Sequence, residues 1–553
     1  MDPRHADLLT DIVEESCTAL PRARRDDWIA RIADNYEAAK RAAEGTGAAK
    51  RAGTWYTPAA VVTSVLDASM PARPVAGFRA CDPSCGTGNF LSAIAARLGD
   101  AGWSAARIAK SLEGMDLDPM AVAIARVRLR HEVGGTAAAW RAAIRCGDSL
   151  AADSWDGRRF ALVAGNPPFL GQLEAGSARS ASERAALEAR FGGAVTRYAD
   201  IAAAFLLLGT ELAPRGTVAL LQPMSTLSAS DALSVRRACE ERLPLAAVLL
   251  PPARSFGAAV HTCVPVMSAR AARDVRVVDA EGREHRVARS RARHGAWGAA
   301  LAAARGVPDP HIRRATGTLD AWMRATADFR QHYYGLKGRI IESRGAKPSD
   351  RRPAIVTVGA IAAARLDWGT RPVRIHGTVF RAPTVDTGGI RSDRVLGPWL
   401  AARRGPKVLV ATQTRAIEAW IDEQGTSLPS TPAITVTPKK AGDLWKVGAA
   451  LLAPPVAAEA WWRHAGAGLS VTAIRVSASQ LKELPAPGDA RAWKRGATLL
   501  AQWQRTQHAA TREKFAEAMC DAYGVPTGAA RAALLAWWHS SIGAAPWLDH
   551  TRR

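Results

Sequence analysis

The chain has 553 residues, 48% of them hydrophobic and 23% charged, with a formal net charge of +23 and a pI near 10.5. That length predicts roughly two or three domains. No run of about 18 uncharged apolar residues demands a membrane, and Met1-Asp2-Pro3-Arg4-His5 opens no apolar signal core, so a cytoplasmic protein without membrane contact is expected.

The seven cysteines are scattered, which excludes a disulfide framework, and Cys81 with Cys85 lacks a second Cys/His pair, so no metal is expected. The basic excess calls for a polyanionic partner, nucleic acid first. An Arg- and Ala-rich composition from a GC-rich genome produces the same balance.

Residues 1–50 carry Trp28, Ile29, Ile32, Ala33 and Tyr36 at helical spacing, with no Gly or Pro from Arg22 through Ala43. They predict a helical N-terminal segment. Gly53-Thr54-Trp55-Tyr56-Thr57-Pro58 breaks it, and the run from Ala59 to Leu66 starts a new helix, with Thr57 as the expected N-cap and Pro58 in the first turn.

Phe78-Arg79-Ala80-Cys81 then reads as a strand, Asp82-Pro83-Ser84-Cys85-Gly86-Thr87-Gly88-Asn89 as a glycine-containing turn, and Phe90 to Leu98 as an amphipathic helix. That order places the turn at the carboxyl edge of a parallel sheet, where open α/β folds bind ligands. The spacing is not Gly-x-Gly-x-x-Gly and there is no Gly-Lys-Ser/Thr, so a pyrophosphate cradle is disfavoured. Asp82 at the head of the turn repels phosphate and suits a ligand with ammonium and sulfonium groups.

Two further acids stand at predicted strand ends: Asp116 after Ser111 to Met115, placed to accept from ribose hydroxyls, and Asp148 after Ala143 to Cys146, placed to accept from an adenine amino group. The apolar run Phe160 to Ala164 then ends in Gly165-Asn166-Pro167-Pro168-Phe169. Two prolines stop the strand abruptly. Alone, the five residues read equally as a proline-rich turn over a buried Phe and as a grip for a planar heterocycle bearing an amino group.

A buried-looking helix from Asp200 to Gly209, a strand from Val218 to Pro223, and late strands at Val248 to Leu250 and Cys263 to Met267 complete the alternation. The fold class expected is α/β: a doubly wound, Rossmann-like domain over 51–270.

In this combination and order the motifs resemble those of the S-adenosylmethionine-dependent N6-adenine DNA methyltransferases of type II restriction-modification. Gly53 to Pro58 resembles their first cofactor motif, Asp82 to Phe90 the central one, and Asn166-Pro167-Pro168-Phe169 the catalytic tetrapeptide. The resemblance implies S-adenosyl-L-methionine as cofactor, its methionine end held by Thr57, Asp82, Gly86 and Gly88, its ribose by Asp116, its adenine amine by Asp148, and its adenine ring flanked by Leu117 and Phe205. It further implies that Asn166 and the Pro167 carbonyl accept from the amine of a flipped-out adenine, that Phe169 stacks on the base, and, on a shorter match, that Phe256 forms a second wall.

Beyond the catalytic domain, 271–350 reads as a basic connector, with Arg286, Arg289, Arg291 and Arg293 close together. Short β-like runs fill 351–490, among them Ala354 to Val358, Val373 to Ile375, Lys407 to Ala411 and Ala433 to Val436. By resemblance this is an α+β target-recognition, DNA-binding domain. Residues 491–553 return to helix, with Trp493, Trp503, Trp537 and Trp538 as packing residues.

The function expected is site-specific methylation of adenine N6 in double-stranded DNA, within a restriction-modification or phage-defence system, beside a separately encoded restriction endonuclease or other defence-system subunits. The protein is expected to associate with the nucleoid through DNA. N4-cytosine methylation and a non-catalytic DNA-recognition subunit are the alternatives.

Overall fold

Short apolar strands that end in acids or prolines organise the first half of the chain. A computed structural model describes residues 3–43, 57–169, 181–195, 200–252, 261–327, 330–343, 348–349, 351–466 and 473–543. They divide into two compact units, Met1–Ala300 and Leu301–Arg553.

In the first unit, β1 (Ala80–Asp82), β2 (Leu112–Asp116), β3 (Ile144–Cys146), β4 (Leu162–Gly165), β5 (Thr217–Leu220), β7 (Leu245–Leu249), β8 (Thr262–Ser268), β9 (Asp274–Val278) and β10 (Glu284–Ala288) lie in the order β3-β2-β1-β4-β5-β8-β7-β9-β10, and β6 (Gln222–Pro223) pairs β8 off this path. The pairs from β3 through β5 are all parallel. β8 enters antiparallel between β5 and β7.

Strand β1 is only three residues long, yet every one is buried, because it lies between β2 and β4 in the middle of the sheet. The chain runs outward from β1 through β2 to β3 and then returns to the other side of β1 as β4. Such a reversal of strand order opens a crevice at the carboxyl ends of the two strands. The ends that meet there are Asp82 and Gly165-Asn166.

Around the sheet pack α3 (Ala59–Ser69) against β4 and β5, α4 (Asn89–Asp100) against β1 and β2, and α6 (Pro119–Val133) against β2 and β3, while α5 (Ala105–Ser111) and α7 (Ala137–Ala143) lie beside β2. The helix α8 (Ile201–Leu212) is buried on nearly all sides. Its Gly209 is required by contact, since a Cβ there would come within 2.6 Å of Val218.

The N-terminal segment is α1 (Pro3–Thr18) and α2 (Arg22–Ala43), both packed on α6. Buried Arg126 of α6 fastens α1, donating to Asp7 Oδ1 (2.8 Å) and to the Ile144 carbonyl (2.9 Å). The stretch read as a basic connector begins with β9 and β10, which extend this sheet, and Arg289 donates to the Leu245 carbonyl at 3.0 Å.

The second unit is α+β. One antiparallel sheet joins Met323–Ala327, Ile434–Pro438, Lys407–Val410 and Ala419–Asp422, and a mixed sheet joins Ile340–Glu342, Pro383–Val385, Ala354–Val356 and Ser427–Pro429, the last pair parallel. Lys407 and Asp422 face each other across the first sheet and form a buried ion pair at 2.7 Å.

Two helices, Leu444–Leu452 and Pro454–His464, interrupt the stretch read as short β runs. Both are buried on nearly every side. Ala490–Thr506, Ala509–Ala522 and Ala529–Ser541 follow, with Trp493, Trp503 and Trp538 buried among them and Trp537 half-buried.

Candidate functional site

The crevice is closest-packed where β1 meets β4. A Cβ at Gly165 would stand 2.3 Å from Asp82 Oδ1, so only glycine lets the two strand ends approach this closely. Asp82 is 2% exposed and its Oδ1 accepts from the Ser84 backbone N–H at 3.0 Å. Burial raises its carboxyl from 3.8 to about 7, opposed by the Ser84 hydrogen bond and reinforced by the nearby Asp116 charge. A carboxylate so placed gains from a cation beside it.

The glycine turn is stitched to β2. Cys85 N–H donates to the Met115 carbonyl (3.0 Å) and Gly86 N–H to Asp116 Oδ2 (2.8 Å), while Asp116 Oδ1 accepts from Asp118 N–H at 3.0 Å. Gly86 and Gly88 hold φ of +51° and +90°, a region that penalises side chains. No atom lies within 4 Å of a Cβ built on Gly86, so the turn borders open space there.

Leu117, just beyond β2, is 56% exposed, an apolar shelf at the same edge. Asp148 is exposed past β3; its Oδ1 accepts from Leu150 N–H at 2.8 Å, and Gly147 N–H donates to the Asp116 carbonyl at 2.9 Å. These bonds bring the ends of β2 and β3 together. Cys81 and Cys85 are buried thiols, pushed far above their ordinary range by that burial.

Two polar residues of α2 reach the same edge. Tyr36 Oη donates to Asp118 Oδ2 at 2.6 Å, and the Thr87 hydroxyl donates to Glu37. Asp118 also caps α6 through Met120 and Ala121 N–H, with Pro119 in the first turn. The sequence carried no signal for Tyr36 and Glu37, because partners 82 and 50 residues away are invisible to local pattern.

Thr57 corrects an expectation. Pro58 occupies the cap position of α3, with no side-chain cap bond, and the Thr57 hydroxyl instead accepts from Asn166 Nδ2 at 2.9 Å. An amide anchored through its nitrogen presents Oδ1 as its acceptor, and the two residues come from segments that both lead into the crevice.

Pro167 is buried and Pro168 half-buried. Phe169 is 7% exposed and packs in the sheet's apolar core cluster; Phe205 is equally buried on α8. The structure therefore joins Thr57, Asp82, Gly165 and Asn166 directly, and Gly86 with Asp116 beside them. Phe256, and Gly53 to Tyr56 of the first cofactor motif, lie outside the described residues.

The residues present fit S-adenosylmethionine: open space beside a glycine turn, a buried carboxyl that would gain from a cation, and an exposed apolar shelf at the end of β2. The strand order and this edge define the methyltransferase version of the doubly wound α/β fold. Residues 31–294 match the model of the N-6 DNA Methylase family, and that part of the chain is an S-adenosylmethionine-dependent, adenine-specific DNA methyltransferase domain.

Among solved structures, the type IIL restriction-modification enzyme MmeI in complex with DNA is similar over 87% of this chain and 74% of its own, at 11% identity and a TM-score of 0.55, which extends the shared fold into the second unit. The type IIG restriction endonuclease BpuSI matches 84% of this chain and 64% of its own, at 12% identity and a TM-score of 0.39. A modification subunit of a putative type I restriction enzyme from Vibrio vulnificus YJ016 matches 46% of this chain and 52% of its own, at 20% identity and a TM-score of 0.34.

Proposed function

We propose that the whole chain is a site-specific DNA methyltransferase of a restriction-modification or phage-defence system, acting on N6 of a flipped-out adenine through Asn166-Pro167-Pro168-Phe169. The hydrogen bond from Asn166 to Thr57 carries this reading, because it fixes an amide acceptor at the strand end that touches Asp82. S-adenosylmethionine, when bound, supplies an electrophilic methyl group on a positively charged sulfur.

Asp82 provides the matching negative charge, and Gly86 and Gly88 allow the cofactor's methionine end to approach the backbone. Asp116 and Asp148 receive the ribose and the adenine amine, with Leu117 and Phe205 bounding the adenine ring. Asn166 Oδ1 and the Pro167 carbonyl accept from the target amine. An exocyclic amine is a weak nucleophile because its lone pair is delocalised into the ring; two fixed acceptors turn that pair out of conjugation. The amine gains the methyl group and releases one proton.

The chain's contribution is positioning and fixed dipoles. Extrusion of the base costs a few kcal/mol, which stacking on an aromatic ring offsets in part. Because Phe169 is nearly buried, base entry must uncover its ring, so stacking and rearrangement of the tip form one event.

We place the protein in the cytoplasm, on DNA, beside a nuclease or other defence subunits supplied separately. Among the described residues no helix is long and apolar enough to cross a membrane. Single-molecule sequencing of DNA from cells expressing the wild type and Asn166→Ala tests the reading. A motif carrying N6-methyladenine is expected in the first and none in the second; identical methylomes refute it.

A further inference from the structure

Residues 330–404 hold fifteen Lys and Arg against five Asp and Glu, which is ten of the chain's +23 net charges in 75 residues. The four described carboxylates are all engaged locally. Glu342 accepts from the backbone N–H groups of Arg381 and Ala382, Asp367 pairs with Arg365, Asp386 accepts from Gly388 N–H, and Asp393 caps the turn at Val395 and Leu396. Arg371, Arg374, Arg381 and Arg394 are exposed, and none of their guanidinium groups pairs with a carboxylate among the described residues.

Within this stretch Val373–Ile375 and Thr378–Phe380 form an antiparallel ribbon, closed by His376 and Gly377 at φ of 50° and 84°. Two residues at positive φ make the tight turn that matches strand twist. One face is internal: Ile375 is buried, with Val373 and Phe380 packed against the same apolar cluster. The other face presents Arg374 directly opposite Val379, which is 56% exposed.

A lone ribbon is ordinarily marginal, yet this one is tied down. His376 N–H donates to Tyr333 Oη at 3.1 Å and the His376 ring pairs with the Tyr333 carbonyl at 2.7 Å. Tyr334, 61% exposed, stands beside the turn with its ring 6.3 Å from that of His376.

We propose that the outer face of the Val373–Phe380 ribbon enters the major groove of duplex DNA, with Arg374 and Val379 at base edges and Arg371 and Arg381 at the flanking phosphates, and that it sets the recognition sequence. The inference rests on the reading of the chain as a DNA methyltransferase and deepens it. A two-stranded ribbon is one of the few elements the major groove admits; a guanidinium there donates two hydrogen bonds to guanine, and an aliphatic group meets the thymine methyl. Rigid attachment to Tyr333 removes ordering cost from binding.

The test uses the full chain, with Arg374→Ala and Val379→Thr, whose side chains leave the apolar face untouched. Thermal unfolding and S-adenosylmethionine binding should match the wild type. For Arg374→Ala, kcat/KM on the cognate duplex should fall about tenfold or more, and the methylated motif should relax at one base pair.

An unchanged motif overturns the proposal, whether the rate is preserved or falls equally on all sequences, because the ribbon would then be a solvated face or a phosphate contact alone. A wild type that methylates no DNA defeats the methyltransferase reading instead. A wild type that methylates a motif its ribbon variants also keep defeats only the ribbon.

Discussion

Asp82→Asn should make the cofactor-free protein more stable and the enzyme inactive. In the unfolded chain the carboxyl ionises near 3.8; in the crevice it does so near 7, because burial penalises the charge. Between about pH 4 and pH 7 the native state therefore holds a proton that the unfolded state has lost, so unfolding free energy declines as pH rises through that window and is level above it.

The raised value corresponds to a loss on the order of 4 kcal/mol. Asparagine keeps an oxygen for the Ser84 N–H and has nothing to ionise. The variant should thus exceed the wild type at about pH 8 by up to about 4 kcal/mol, and lose that advantage near pH 4. Its affinity for the cationic cofactor should fall on the order of a hundredfold or more, since the buried counter-charge is gone.

Cofactor-free urea melts across that pH range, with calorimetric titration of S-adenosylmethionine, read both effects. In the wild type, binding should tighten as pH rises towards about 7 and release a proton below it. A stability difference that is the same at every pH, or cofactor binding by the variant equal to wild type, would refute the reasoning.

Thr57→Val removes the anchor of Asn166 while keeping the shape of the side chain; kcat should drop about tenfold at saturating cofactor, measured by single-turnover methylation. Tyr36→Phe frees Asp118 from α2 and should cost on the order of 1–2 kcal/mol of stability. Hydrogen exchange over residues 22–43 should accelerate in that variant and slow again with cofactor. Equal exchange in wild type and variant would show that the Tyr36 bond does not hold the helix.

The strand ends were legible because their chemistry is local. Asp82, Asp116 and Asp148 each follow a short strand-like run, the turn after Asp82 needs its glycines, and Asn166 is followed by two prolines that cannot continue a ladder. Family resemblance then joined these pieces in order. What stayed hidden was reciprocal partnership: Thr57 suited a helix cap and proved to be the seat of Asn166, and α2 looked like a lead-in although Tyr36 and Glu37 reach the cofactor edge.

The basic residues after 270 looked uniform in sequence. In the structure Arg289 is bonded to the backbone within the first unit's sheet, whereas the Arg374 side chain lies on the open face of a ribbon with no carboxylate partner among the described residues. Sequence by itself determined the alternation of strands and helices, the acid and proline at each strand end, and the excess of positive charge, because backbone propensity and side-chain chemistry act within a few residues. Tertiary structure alone decided that Asp82 lies against Gly165, that its proton is held to about pH 7, and which arginines are bonded within a sheet and which lie on an exposed face, because burial and pairing depend on segments that meet only when the chain has folded.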